Sequence, residues 1–446
     1  MRRAGFIIPL VSSSAQGTSR DPDVRGADVR SILRSPDVGT IMLVCFVLMA
    51  GFGVVAPILP LFARSFGVGY AAAGGMISAF AGARLAFDLV AGPLIDRYGE
   101  RRCATLGMTF LALCALLTAN APNFALATIF WAAGGAGSAV VFASNYSYLL
   151  KVVPKDRMAR TLGVFYGAFN AGIIAGGFSG GFIADRFGIA SPLLAYSGLL
   201  LIAVAVYMRF VPAPVNTERS EPRVADEARA AREVPAIRRS KARIVEMLKT
   251  PAFKTVMLVN FAYMWFVAGV FDTLVPLLGK DAVGMSTLGI GAVFGVALAT
   301  EFAVLYPAGS LADSRGRKAV MVPSLIGLAL SIALAGWATT VWAIAAAMAV
   351  MGVFSGFAGV PPGAMLSDVT PEGSSGTAVG IFRFSGDLGF ALGPIVGGIT
   401  TNAFGFRGSF AIAALPVLAA LIMVLRAPET LPRLAGTPSE NVATPV

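Results

Sequence analysis

Six ionisable side chains stand inside long apolar stretches of this 446-residue chain: Arg84, Asp88, Asp272, Glu301, Arg383 and Asp387. A charge at the centre of a bilayer costs roughly 2.5–3.5 kcal/mol on insertion scales, so such residues are paired or functional. Arg84 and Asp88 are four residues apart and share one helical face, as do Arg383 and Asp387. The chemistry open to this set is ion pairing and proton carriage. Histidine is absent, which removes imidazole acid–base catalysis, Ser-His-Asp triads and most zinc or haem sites. No GxxxxGK[ST] run is present to cradle a nucleotide phosphate, which argues against an ATP-driven pump within the chain. Cys45, Cys103 and Cys114 lie in apolar segments without metal spacing and read as buried reduced thiols. No metal, cofactor or enzymatic constellation is expected.

The elements that hold these charges are membrane helices. The chain is 56% hydrophobic and 13% charged, where a soluble protein carries about 25% charge. Apolar runs long enough to cross a bilayer fall at about 39–62, 72–95, 103–120, 123–149, 161–184, 190–211, 253–278, 286–308, 319–337, 340–366, 376–400 and 405–427. The expected fold is all-α and integral to the membrane, with twelve helices in two six-helix halves, 39–211 and 253–427. Residues 1–38 form an N-terminal tail, 212–252 a polar linker rich in Arg, Glu and Ala, and 428–446 a C-terminal tail. Met1 to Gln16 is a poor signal peptide because its apolar run, Phe6 to Val11, is short. Ser240 to Leu248 reads as a short surface helix. The net charge of +11 sits in loops rather than on an amphipathic surface, so nucleic acid is not an expected partner. With the N-terminus inside, most Lys and Arg fall in the inner segments, which puts both termini and the linker in the cytoplasm of a cell with this protein in its inner membrane.

The two halves repeat. Gly92-Pro93-Leu94-Ile95-Asp96-Arg97-Tyr98-Gly99-Glu100-Arg101-Arg102 returns as Gly309-Ser310-Leu311-Ala312-Asp313-Ser314-Arg315-Gly316-Arg317-Lys318, offset by 217 residues. Pro154 matches Pro371 at the same offset, and Gly163, Gly172, Gly176, Gly180 and Gly181 match Gly380, Gly389, Gly393, Gly397 and Gly398. Two halves of equal orientation are parallel repeats about an axis along the membrane normal, an architecture suited to alternating access.

On these motifs the chain resembles the major facilitator superfamily, over nearly all of its length outside the tails. The run G-x8-G-x3-G-P-x2-G-G of span eleven, with Pro394, is similar to a glycine motif of drug:proton antiporters. That family carries the motif in span five, where Gly177 here replaces the proline. Trp131 stands where those antiporters have an arginine in span four, which removes one expected participant in proton coupling.

The resemblance implies roles. Asp96, with Gly92, Arg97, Gly99 and Arg101, would latch onto the start of span eleven near Ser375 to Ala378. Asp313, with Gly309, Gly316 and Arg317, would latch onto the start of span five near Arg160 to Leu162. A helix N-terminus favours such a carboxylate by about 0.3–1 kcal/mol. Spans two and eleven would face each other across the halves. From a 1.5 Å rise, Arg84 is roughly 18 Å and Asp88 roughly 12 Å beyond Asp96, while Arg383 and Asp387 lie roughly 10 and 17 Å beyond Gly376. The depths match Arg84 with Asp387 and Asp88 with Arg383, pairs that would break or rearrange during transport; bridges within each helix are the alternative.

Glu301 is the repeat mate of Arg84, and would face Tyr166 and Asn170, which bring no positive charge. A desolvated carboxylate without a cation favours its protonated form, so Glu301 is the first candidate for proton coupling and Asp272 the second. A structural hydrogen-bonding role is the alternative for Glu301. Spans one, four, seven and ten would line the cavity with Met49, Phe52, Trp131, Asn145, Tyr146, Asn260, Tyr263, Trp265 and Phe266, joined by Asn170. The expected function is export of a small organic compound in exchange for protons, by a monomer. Carriage of a sugar or other metabolite is the alternative, and a non-transporting receptor a third reading.

Overall fold

The computed structural model describes residues 36–153, 155–211, 244–370 and 375–431. The expected N-terminal tail up to residue 35, most of the linker (212–243), the tail beyond 431, and the repeat pair Pro154 and Pro371 lie outside the described residues.

Every described regular element is helical. Span one runs from Pro36 to Val55, breaks, and resumes as Leu59–Arg64; Pro57 and Pro60 cannot donate the backbone hydrogen bonds that would continue it. Spans two to six are Tyr70–Tyr98, Glu100–Ala119, Phe124–Val152, Lys155–Phe187 and Ser191–Phe210. Span two bends by 57° between Tyr70–Asp88 and Val90–Tyr98. Residues 244–249 form the short helix expected ahead of span seven. Span seven starts as Pro251–Trp265 and continues through π-helical stretches at Phe266–Leu274 and Leu278–Ala282, which periodicity alone did not indicate. Spans eight and nine are Thr287–Arg315 and Arg317–Ala335, and span ten is Val341–Gly359 extended by Pro361–Val369.

Ten described helices are long and apolar enough to cross a membrane, or eleven with the bent span two. The last of them, Thr377–Arg426, has 50 residues, about 75 Å of helix against a hydrocarbon core of about 30 Å. It is two spans joined end to end. The join is at Gly405, where φ is +66°, so spans eleven and twelve meet there and the total is twelve.

The repeat extends to the backbone. The described glycines with positive φ form three pairs 217 apart: Gly67 with Gly284 (78° and 74°), Gly99 with Gly316 (82° and 102°), and Gly188 with Gly405 (97° and 66°). Each pair turns the chain at the same place in each half, in a conformation that costs a residue with a Cβ.

Two packed cores follow the two halves. One gathers residues from Val38 to Val211; the other runs from Met247 to Val424 and takes in Ile58, Leu61 and Ala184. Large apolar side chains such as Leu106, Phe187, Tyr306 and Trp342 remain exposed, as befits surfaces facing lipid. Lipid is as apolar as leucine, so helices associate by close packing of small residues. Glycines do this in both halves. A Cβ on Gly135 would strike the Phe80 carbonyl, and one on its mate Gly352 would strike the Ala297 carbonyl. The three cysteines are free and buried.

Candidate functional site: the interface between the halves

Two contact lines join the halves, span two with eleven and span five with eight. In the first, Arg84 pairs with Asp387, and Arg383 Nη2 stands 3.8 Å from Asp88 Oδ1. The structure thus brings together the four charges that lie deep within spans two and eleven, and each arginine is paired with the opposite half. Arg84 also lies over the Phe390 ring at 5.8 Å, and Arg383 over the Phe142 ring at 3.9 Å. Asp387 is 6% exposed, and its Oδ2 has no hydrogen bond among the described residues. Nearer the far end, Ser78 Oγ accepts from the Ile395 amide at 3.2 Å.

Glycines set how closely these helices meet. A Cβ on Gly74 would overlap the Pro394 carbonyl, and one on Gly398 the Tyr70 carbonyl. Gly389 and Gly393 lie on span seven against the Phe261 and Trp265 carbonyls, while Gly397 meets Leu274 and Gly380 meets nothing. In span five, Gly172, Gly176 and Gly180 lie on Phe46, Ala50 and Val54 of span one; Gly177 meets Leu298, and a Cβ on Gly181 would be 2.7 Å from Gly291 Cα. The glycine run is therefore a packing surface that faces both its own half and the other.

The far end of the molecule, opposite the two Asp-containing loops, is closed by further contacts. Thr287 Oγ1 donates to Asp185 Oδ1 at 3.1 Å, and Arg64 Nη2 reaches Asp281 Oδ2 at 3.2 Å. Among the described residues, cross-half hydrogen bonds and ion pairs begin at Asp88–Arg383 and continue only toward this far end.

At the loop end no latch contact is formed among the described residues; the side chain of Ser375, at the expected dock of Asp96, lies outside them. Asp96, Arg97 and Gly92 are exposed, and Gly99 and Arg101 partly so. The expected docking of Asp96 on span eleven is not formed among the described residues. Asp313, its side chain 73% exposed, pairs with Arg317 Nη1 of its own half at 2.5 Å; the side chains at its expected dock, Arg160 and Leu162, lie outside the described residues. Gly316 positions this loop through its positive φ, while Gly309 lies within the helix ahead of it.

The loops carry a pattern that single-position reading missed. Arg317 Nε bonds Asp368 Oδ2 at 3.2 Å, and the mates of those two residues form Lys151–Glu100 at 2.5 Å. One ion pair therefore ties the start of the third helix to the end of the fourth in each half, with its charges reversed. A second tie is kept in sense: Arg101 donates to the Met208 carbonyl at 2.6 Å and Lys318 to the Leu425 carbonyl at 3.1 Å. The constant offset of 217 matches Glu100 with Arg317, Lys151 with Asp368 and Arg101 with Lys318, a signal present in the sequence, whereas the contacts themselves and the carbonyl acceptors left none.

Between the halves lies a small cavity walled by Phe52, Val55, Ala56, Leu59, Ile77, Phe80 and Trp131 of the first half and by Asp272 and Phe390 of the second. Trp131 stacks on Phe80 at 4.9 Å. Asp272 is 8% exposed, sits in the π-helical part of span seven, and has no ion pair among the described residues.

Several sequence candidates lie elsewhere. Glu301 does not reach across the halves: it accepts from the Tyr263 hydroxyl at 3.3 Å, and that hydroxyl is 3.4 Å from Ser355 Oγ, all within the second half. Gly356 and Gly359 leave the room for this trio, since a Cβ on either would crowd Glu301 or Tyr263. Trp265 donates to the Ala413 carbonyl at 3.1 Å, which turns it from the cavity toward span twelve. Asn260 donates to the Phe382 carbonyl at 2.6 Å and to Ser385, tying span seven to eleven. Tyr146 stacks on Phe142, Asn145 is buried beside it in span four, and Asn170 is exposed. None of these forms the wall of the cavity.

Comparison with known proteins agrees with this architecture. The family model described as Major Facilitator Superfamily matches residues 41–304 and 280–445. An uncharacterised transporter of that type from Methanocaldococcus jannaschii, MJ1560, is 24% identical over 87% of this chain and 98% of its own length. Multidrug resistance protein MdtG of Serratia proteamaculans is 34% identical, but over 26% of this chain and 28% of that protein. Among solved structures, a point mutant of the nucleoside transporter NupG superposes with a TM-score of 0.66 at 14% identity, covering 87% of this chain and 99% of that one. A bacterial homolog of the human lysosomal transporter Spinster, inward-facing and occupied, does so with 0.68 at 13% identity, covering 87% and 95%. Twelve spans in two repeated halves, joined along spans two and eleven and matched by the family model over nearly the whole described chain, identify a multi-pass membrane transporter that belongs to the major facilitator superfamily.

Proposed function

We propose that the chain exports a small amphipathic organic compound across the inner membrane in exchange for protons, as a monomer with both termini in the cytoplasm. The observation that carries this reading is Asp272, a buried carboxylate in an otherwise apolar, aromatic cavity between the halves, with no basic partner among the described residues. Burial without a cation disfavours the ionised form, so this group can take a proton from one side and yield it on the other. Trp131 supplies the one buried polar atom of the wall that lacks a hydrogen bond, its indole N–H. A lone acceptor and a lone donor amid phenylalanines suit an amphipathic cargo. A sugar or nucleoside would leave most of its hydroxyls unpaired there, at a cost for each.

Glu301 is the second proton carrier, held ready by Tyr263 and Ser355. The excess of Lys and Arg on the loop end favours that end as the inner one, which makes the arrangement, on this reading, inward-open. In that reading Asp96 stands exposed without a partner among the described residues, while contacts join the halves at the outer end. The Arg84–Asp387 and Asp88–Arg383 pairs lie at the pivot and rearrange as one half rocks against the other. The similarity to the multidrug protein supports the direction and class of cargo.

The test is proton flux in proteoliposomes holding a pH-sensitive dye, screened against lipophilic cations, sugars and organic acids. A cargo-triggered pH change lost in Asp272→Asn, with cargo binding retained, is the expected result. Cargo movement without any pH change would mean uniport or coupling to another ion, and would remove the proposed roles of Asp272 and Glu301.

A further inference from the structure

The ion pair at the far end joins two residues that are also repeat mates: Arg64 and Asp281 are 217 positions apart. Two sites related by a two-fold axis lie equally far from that axis on opposite sides, so mates close enough to bond must flank it. The translocation path of a parallel-repeat carrier runs between the halves along that axis. Val55 and Asp272, another pair of mates, both line the cavity. Arg64 and Asp281 follow them on the same two spans, nine residues further on, about two and a half helical turns toward the far end.

The first half braces the arginine. Arg64 Nη1 donates to the Val68 carbonyl, and its guanidinium lies 4.5 Å from the centroid of the Tyr70 ring. Tyr70 in turn meets Phe406 of the second half edge-on at 5.3 Å, while its carbonyl lies against Gly398. The turns that follow each partner are themselves matched, through Gly67 and Gly284. Opposite charges at equivalent positions are what contact across the axis requires, because like charges there would repel.

We propose that Arg64 and Asp281 form the gate of the path at this far mouth, an ion pair that stands astride the pseudo-two-fold axis and parts whenever the path opens on that side. Tyr70 is the hinge stop that positions the arginine. The proposal rests on family membership and not on the coupling ion or cargo, so a failure of the proton-exchange reading leaves it standing.

Pulsed electron paramagnetic resonance in nanodiscs tests it without regard to orientation or cargo. Spin labels go on Pro122→Cys and Thr339→Cys, exposed mates in far-end loops of the two halves, with the three buried native cysteines replaced by alanine. Arg64→Ala and Asp281→Ala are each expected to raise the ratio of long to short distances about two- to fivefold, the shift an accessible ion pair supplies. The reversed pair, Arg64→Asp with Asp281→Arg, is expected to return the ratio to its starting value. Unchanged distances in both single variants, or a reversed pair no better than either single, would overturn the proposal. Should a variant not fold, the labelled protein with its gate intact still decides. Raising the salt from about 0.05 to 0.5 M screens the pair and must move the ratio in the same direction, and an unmoved ratio overturns it.

Discussion

Removal of the Arg84 side chain is the perturbation whose outcome the structure fixes most closely. Arg84→Ala leaves Asp387, 6% exposed and already with one oxygen lacking a hydrogen bond, as an unpaired charge at mid-depth. Breaking a buried pair from one side costs about 3–5 kcal/mol. The Arg84 side chain is 27% exposed, so water reaches part of the pair and the expected cost falls to about 2–3 kcal/mol. Asp387→Asn leaves the arginine instead, which keeps the Phe390 ring beside it and can reach toward water, so about 1–2 kcal/mol is expected. Arg84→Asp with Asp387→Arg restores the cross-half pair. It also sets the new carboxylate four residues from Asp88 and the new guanidinium four residues from Arg383. Such like-charge neighbours cost about 0.2–0.5 kcal/mol apiece on an exposed helix. Inverting all four charges removes that penalty as well. The assay is equilibrium unfolding in mixed micelles, read as a double-mutant cycle with a coupling energy above about 1 kcal/mol. The expected order of stability is single variants lowest, the double reversal higher, and the fourfold inversion nearest the native protein. A double reversal no more stable than Arg84→Ala, with the fourfold inversion equally low, would refute the cross-half pairing.

Other outcomes follow from the loop end and the packing glycines. Glu100→Arg with Lys151→Asp should convert the first half to the charge order of Arg317–Asp368 and retain stability that Glu100→Arg alone loses; thermal melting of the three proteins decides this. Gly74→Ala should collide with the Pro394 carbonyl and cost about 1–3 kcal/mol of far-end closure, lengthening the 122–339 distance, whereas Gly198→Ala on span six, with open space around it, should change nothing. Burial would raise the Glu429 carboxyl, but the backbone N–H groups of Leu431, Lys318, Arg317 and Thr430 outweigh it and hold the pKa below the usual range. A lowered folded pKa means that Glu429 stabilises the fold above the ordinary carboxylate range, and that this is lost as pH falls through the folded value. Glu429→Gln should therefore melt earlier at neutral pH and converge with the native protein in acid; parallel melting curves at every pH would refute the role.

Much of this protein was legible in its sequence. Membrane spans must satisfy every backbone group internally, so length and hydropathy suffice to find them. The offset of 217 exposed the repeat, and once the family resemblance set spans two and eleven face to face, the fixed rise of a helix matched Arg84 to Asp387 and Asp88 to Arg383 by depth. Other features only the tertiary structure decided. The rotation of span eight about its own axis is one, because Glu301 is turned toward Tyr263 by room left at Gly356 and Gly359 rather than by any local preference. The π-helical register of span seven, which carries Asp272 to the cavity wall, is another. Arg64 and Asp281 gave no signal as single residues, since each lies at a helix end where charge is ordinary. A sequence specifies helices through contacts a few residues apart, whereas which mates meet across the axis depends on how two separately packed halves lean on one another.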